Sequence, residues 1–477
     1  MESLYSKRNA INEGCGSGVG LRGLFMALLL GNIALLTVCA DDAVSRPVRT
    51  GVVDIRDMGA VSDGKTLATA AIQKAVDQVS AAGGGTVYFP PGRWLTGTVR
   101  LKSHVTLHLE NGCTVLGSGS LSDYPEITPS VRSYTDKYVC RSLLYGENLE
   151  NVSLQGAGTL DGQGEKFCWK SSDNRDRPFL IRMIRCKDVR VENVHLRSSG
   201  MWMQQYLACE RVRLRGITVF NHASWNNDGV DIDGCRDVTI SDCIIDTDDD
   251  SLCLKSTSTY PCENVTVVNC VLSSHCNALK LGTETTGGFK NITISNCTIV
   301  SPRYSKPYWG IQRGMGGIAL EIVDGGHLDG VTIANITITG VGTPLFLRLG
   351  NRARPHTEGA PKPAVGTFRN VVLSNILATD ASMTGCAITG IPGHCIENLT
   401  LRDIRLEFEG GGTAEDAARK IEEKEADYPE SLMFGTLPAY GIFGRHIKNL
   451  HVENVKLVTK NPDARPASVY EDVEVQK

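Results

Sequence analysis

Cys186-Lys-Asp-Val189-Arg-Val191-Glu-Asn193 and Cys235-Arg-Asp-Val238-Thr-Ile240-Ser-Asp242 are two copies of one short pattern. It returns as Cys262-Glu-Asn-Val265-Thr-Val267-Val-Asn269 and as Phe289-Lys-Asn-Ile292-Thr-Ile294-Ser-Asn296. The anchoring apolar residue falls at positions 152, 189, 212, 238, 265, 292, 331, 371, 399 and 450. Where the intervening loops are short, the step is 23 to 28 residues. Apolar residues alternate within each copy and helix signals are almost absent, so the period is one of stacked strand coils. A coil of that size buries an apolar side only against its neighbours. The pattern predicts an all-β chain folded as a right-handed, single-stranded parallel β-helix, a solenoid.

Two ladders fix the register. Four residues after the anchor stand Asn193, Asp242, Asn269, Asn296, Asn335, Asn375, Asp403 and Asn454. Asn and Asp tolerate the left-handed backbone and bond their own chain, so a stacked column at a coil corner is expected. Cysteine forms the second ladder, with Cys186, Cys209, Cys235 and Cys262 three residues before the anchor and Cys243, Cys270 and Cys297 five after it. Sixteen cysteines in a short secreted chain would suggest a disulfide scaffold. This chain has 477 residues and can bury a core without staples, so the ladder cysteines read as small inward residues with free thiols.

The ends read differently from the middle. Lys7, Arg8 and Arg22 precede an apolar run from Leu24 to Cys39 that ends before Ala40, the form of a signal peptide over 1–40 with a linker over 41–50. Export to the periplasm or the extracellular space is expected, with lipid attachment at Cys39 as the alternative. No later segment has the length and apolarity of a membrane span, so no stable membrane insertion is expected after signal removal. Residues 51–470 read as one β-helix domain, with apolar residues at helical spacing over Thr66–Ala82 as a helix capping the open end. A charged stretch over 410–445 breaks the repeat and reads as an insertion packed near or over the side of the solenoid. The formal net charge of −4 argues against a nucleic-acid partner, and a monomer is expected. No cysteine or histidine cluster has metal-ligand spacing, so neither metal nor cofactor is predicted.

The chemistry lies in the middle coils. Aligned strands read Gly229-Val-Asp-Ile-Asp233, Ser251-Leu-Cys-Leu-Lys255, Ala278-Leu-Lys-Leu-Gly282 and Gly317-Ile-Ala-Leu-Glu321. Val230, Leu252, Leu279 and Ile318 point inward, so the alternate residues are expected to point outward into one surface groove. Asn226-Asn227-Asp228 and Asp248-Asp249-Asp250 come just before the first two strands. Coils stack about 5 Å apart, so Asp228 should meet Asp249 and Asp250 on one face. Crowded carboxylates raise one another's proton affinity, leaving one as an acid. An acid and a base beside a groove are what glycosidic hydrolysis requires. Capping of coil corners or calcium binding is the plainer alternative, and it fits isolated Asp231 or Asp233 better than the trio.

At this point the chain resembles glycoside hydrolase family 28, the polygalacturonase-like enzymes. The likeness covers nearly all of the sequence after the apolar N-terminal segment, including Asp57-Met-Gly-Ala…Asp63-Gly64 and Gly83-Gly-Gly…Pro90-Pro-Gly92. Asn226-Asn227-Asp228 matches the family's Asn-Thr-Asp motif, and Asp249-Asp250 its Asp-Asp pair. The resemblance implies an inverting hydrolase without metal, acting on a pectin-like polysaccharide or oligosaccharide. Asp249 would be the general acid, and Asp228 and Asp250 would position and deprotonate the attacking water. Substrate contacts are expected from Asn226, His275, Cys276, Lys280, Glu321 and Lys255. Trp202, Trp225, Tyr304, Tyr308 and Trp309 are candidate sugar platforms, although packing is the default role of each.

Two departures stand out. The family's Gly-His-Gly motif falls on His275-Cys276-Asn277, so Cys276 takes the histidine slot with His275 beside it. The family's Arg-Ile-Lys motif, which grips the galacturonate carboxylate, falls on Ala319-Leu320-Glu321. One cation is absent and the other reversed in charge, which would repel an acidic sugar. Lys280, one coil before Ala319 in the same column, is the expected substitute, or else a partner for Glu321. Long insertions at 300–316, 350–366 and 410–445 favour a blocked groove and exo-action. A calcium-dependent polysaccharide lyase and a non-catalytic carbohydrate-binding β-helix are the rivals.

Overall fold

The computed structural model describes residues 51–134, 140–167, 176–304 and 306–476. The expected signal segment 1–40, the linker 41–50 and Cys39 lie outside the described residues. Strand after strand pairs in parallel with the strand one coil later, giving a right-handed parallel β-helix. Val189 pairs with Val212, Val212 with Val238, Val238 with Val265 and Val265 with Ile292. The anchors thus form one stacked column, and alternate residues along each strand are buried. Their stacking builds a continuous apolar core along the solenoid axis, because no single coil can bury its own inner face.

The corners follow from the Asn/Asp ladder. Asn193, Asp242, Asn269, Asn296, Asn335, Asn375, Asp403 and Asn454 all adopt left-handed backbone, with φ between 49° and 60°. Side-chain amides link neighbours up the column: Asn335 donates to Asn296 at 3.0 Å and Asn375 to Asn335 at 2.8 Å. A further Asn/Asp ladder stands one residue before the anchors. Asp237, Asn264 and Asn291 are also left-handed there, with Asn264 donating to Asp237 at 2.9 Å and Asn291 to Asn264 at 3.1 Å. Among the described residues every cysteine is a free thiol, and the ladder members are buried.

A helix, Thr69–Ala81, turns Ile72, Ala75, Val76 and Val79 into the N-terminal end of the core. It starts later than residue 66 because Asp63–Leu67 is drawn into a strand beside Gly92–Thr96. The 410–445 segment holds a single capped turn, Ala414–Ala417, followed by irregular chain. Phe434 and Leu437 of that chain pack on Ala319, Phe346, Ala387 and Phe443 in an apolar cluster of their own. Arg348 and Arg445 tie it down by donating to the carbonyls of Lys424 and Glu422, both at 3.0 Å.

That packing corrects the expected open groove. Asp231, Asp233, Cys253 and Lys280 do sit on the outward side of their strands, with Cys253 paired to Lys280 and Lys280 to Ala319. They are nevertheless buried, as are Lys255 and Glu321. These outward side chains are covered, so they do not line an open groove.

Candidate active site

Asp228, Asp249 and Asp250 reach their positions through the turns that precede two stacked strands, Val230–Asp233 and Leu252–Ser256. The turn at Asp228 is stapled by Asn227, whose carbonyl oxygen accepts the Ala223 amide at 2.7 Å while its NH2 donates to Ser199 and Met201 carbonyls at 3.0 Å. Gly229 follows because a Cβ there would stand 2.5 Å from the Ser251 carbonyl oxygen. Its amide donates to the Asp250 carbonyl at 2.9 Å and draws the two turns together. The Asp249 carbonyl is held by the hydroxyls of Thr247 and Ser274, each at 2.6 Å.

The three carboxylates converge, with one oxygen from each lying within 4.8 Å of the others. Two lysines lie against them. Lys255 Nζ is 3.3 Å from Asp228, 3.5 Å from Asp231 and 3.9 Å from Glu284. Lys280 Nζ is 2.9 Å from Asp250 and 3.9 Å from Glu321. Burial opposes both ammonium charges, but the anionic groups around them outweigh it and push both pKa values up. Trp202 covers Lys255, its ring centre 4.5 Å from Nζ. Asn277 donates to Asp250 at 3.0 Å and accepts from Ser431 of the insertion at 2.9 Å.

Exposure separates the trio. Asp228 and Asp250 are each 2% exposed, whereas Asp249 keeps part of its side chain in contact with solvent. Burial, then the charge of Asp250, raises the Asp249 carboxyl to about 6 against the pull of Lys280 and Lys255. Burial, then Asp231 and Asp249, pushes Asp228 well above the usual carboxylate range. Asp228 and Asp249 act on each other's proton affinity, and of the two Asp249 is the one able to offer a proton outward.

The other expected residues divide. Asn226 joins the trio, its amide 3.5 Å from Asp249. Cys276 is buried, and burial followed by Asp249 and Asp250 drives its thiol far up. It lies within reach of the charges of Asp249 and Asp250 without reaching solvent. Lys280 does not stand ready for a substrate carboxylate, because it is buried and bound to Asp250. Glu321 is enclosed too, and burial raises it to about 8. His275 is 0% exposed and lies with His222 and Asp248 instead. Sequence reasoning missed Glu284 and Glu430. Glu284 is held at 2.8 Å by Arg354. Glu430 comes from the insertion, and burial raises its carboxyl to about 7. The repeat register could have flagged Glu284; nothing in a non-repeating insertion could have placed Glu430.

The sequence profile described as Glycosyl hydrolases family 28 matches residues 94–426. The chain belongs to this family. Its likeness is to polygalacturonase-like glycoside hydrolases. A probable polygalacturonase of Vitis vinifera is 35% identical over 215 residues, covering 42% of this chain and 43% of that protein. An exo-poly-alpha-D-galacturonosidase of Dickeya chrysanthemi is 37% identical over 133 residues, covering 26% of this chain and 21% of the other. The chain thus spans less than half the length of these curated relatives. The solved exopolygalacturonase of Thermotoga maritima shares the fold with a TM-score of 0.66 at 21% identity, covering 86% of this chain and 92% of that one.

Proposed function

We propose that the protein is an exported, exo-acting, inverting hydrolase of a pectin-like polysaccharide, with Asp249 as general acid and Asp228 and Asp250 as the pair that handles water. The observation that carries this reading is the split within the trio: one partly exposed carboxyl raised to about 6, backed by two buried carboxyl groups held against lysines.

The stereochemistry is the point of tension. Oxygens within 4.8 Å are closer to the spacing of a retaining pair, about 5–5.5 Å, than to the inverting range of about 6.5–9.5 Å. Retention, however, requires a carboxylate to bond the anomeric carbon. Asp228 and Asp250 are both buried against lysines, which leaves neither one placed to bond a sugar ring. Accessibility therefore outweighs spacing, and the first product anomer in proton NMR should be inverted. A retained anomer would exclude the single displacement.

Trp225 and Trp309, with ring centres 5.4 Å apart and both exposed, supply an apolar wall for a sugar face. The insertions that enclose the coils support attack at chain ends, and the basic-then-apolar N-terminal segment supports export. Calcium-dependent elimination is disfavoured, because Lys255 and Lys280 already neutralise the carboxylates a cation would use. The test is product analysis on polygalacturonate, rhamnogalacturonan and neutral glycans. Small saturated sugars released from the first time point support the reading. Mid-sized fragments would remove exo-action, and unsaturated products absorbing in the ultraviolet would remove hydrolysis.

A further inference from the structure

His222, Asp248 and His275 each come one residue after a stacked strand: Thr218–Asn221, Ile244–Thr247 and Val271–Ser274. Asn221 pairs with Thr247, and Thr247 with Ser274. The three residues therefore occupy equivalent places on three successive coils. All are buried, and one donor atom from each lies within 4.8 Å of the others.

Both imidazoles are oriented from behind. His222 Nε2 lies 3.2 Å from Asp246 Oδ1, which can only accept from it. His275 Nδ1 lies 3.0 Å from the Ile311 carbonyl oxygen, again only an acceptor. In the neutral rings these contacts keep the proton on the outer nitrogen and turn His222 Nδ1 and His275 Nε2 into lone-pair donors. Those two atoms are buried without a hydrogen-bond partner. Asp248 completes the set, its Oδ1 4.0 Å from His222 Nδ1. Its two oxygens accept the Tyr308 and Trp309 amides, both at 2.8 Å, which leaves further lone pairs on each.

Two buried ring nitrogens without a hydrogen-bond partner, set beside a buried carboxylate, are costly unless something joins them. A carboxylate or carbonyl behind each ligating histidine is the arrangement that fixes tautomer and aim at metal centres. We propose that His222 Nδ1, His275 Nε2 and Asp248 bind a divalent first-row transition ion of the zinc class. Imidazole donors favour such ions over calcium or magnesium. Zinc bonds of about 2.0–2.1 Å would draw the donors closer than they stand now. The ion would lock the loop that carries Trp309, since Tyr304 stacks on His222 with ring centres 4.6 Å apart and the Trp309 amide rests on Asp248. It would thus shape the aromatic wall beside Asp249 without entering the reaction. The spacing escaped the sequence reading because the ligands are one coil apart instead of sharing a short motif.

The test uses the full chain, stripped with EDTA and titrated with zinc ion by calorimetry, with cobalt ion as a spectroscopic probe. Expected are one zinc per chain with Kd below about 1 μM, a rise in Tm on binding, and visible cobalt bands typical of nitrogen and oxygen ligands. His222→Ala and His275→Gln should each weaken binding at least about 100-fold. Asp246→Asn, which touches no metal, should weaken it about 10- to 100-fold through His222. Asp249→Asn and Cys276→Ser should bind zinc like the wild type. No zinc binding tighter than about 50 μM to the folded wild type would overturn the proposal. So would binding that survives loss of either histidine, which would place the ion elsewhere.

Discussion

Asp249 differs from Asp228 and Asp250 in what each touches, and the difference sets what each can do. A proton held near neutral pH and partly exposed can be delivered to a leaving oxygen; one locked behind a lysine cannot. Because the Asp249 carboxyl is raised to about 6, its acid form is lost as pH rises through that value. The basic limb of kcat against pH should therefore fall with a midpoint near 6, and a flat profile to pH 8 would remove Asp249 as the acid. Glu321 offers a separate check at this scale. Burial lifts it from an ordinary 4.5 to about 8, and neither of its carboxylate oxygens has a hydrogen-bond partner. In the unfolded chain it ionises near 4.5, so stability is full below that pH and is lost as pH rises to about 8. Glu321→Gln should flatten this loss, giving a higher Tm than wild type at pH 8 and little difference at pH 4.5.

Coils, not residues, decide the register, and this was the part most legible in the sequence. The apolar anchors and the Asn/Asp column repeat at fixed offsets, and each offset maps on one corner of the coil. Asn335 shows the physical reason: its φ of 58° is left-handed, and its side chain bridges Asn296 and Asn375. Asn335→Ala should lower stability by about 1–2 kcal/mol from the backbone alone, whereas Asn335→Gly, free to adopt the same φ, should lose mainly the side-chain bridges. Equal losses in thermal denaturation would mean that the backbone conformation is not what selects Asn. The second Asn/Asp column was less visible because Gly330 and Arg211 interrupt its chemistry. The trio was equally legible, since both motifs precede stacked strands. Its lysines were legible as residues but not as partners, because alternation gives the side of a strand and not what covers that side.

Coverage is a property of the whole molecule, and it explains the misreadings. The 410–445 insertion closes over the outer face of the solenoid, turning a predicted groove into an interior in which Lys280 and Glu321 are enclosed. No periodicity points to where such a segment lands; only its apolar residues, among them Phe434 and Leu437, hint that it packs at all. Phe434→Ala should cost about 3–5 kcal/mol if that cluster is a true second core, and a change below about 1 kcal/mol would mean the insertion merely rests there. The central claim is that hydrolysis runs through the trio held beneath this cover. The most direct test compares wild type and Asp249→Asn for sugar release from pectic polymers, with Tm measured on both. The account predicts a loss of about 10²–10⁴-fold in kcat at unchanged fold. Near wild-type turnover by a folded Asp249→Asn protein would contradict it.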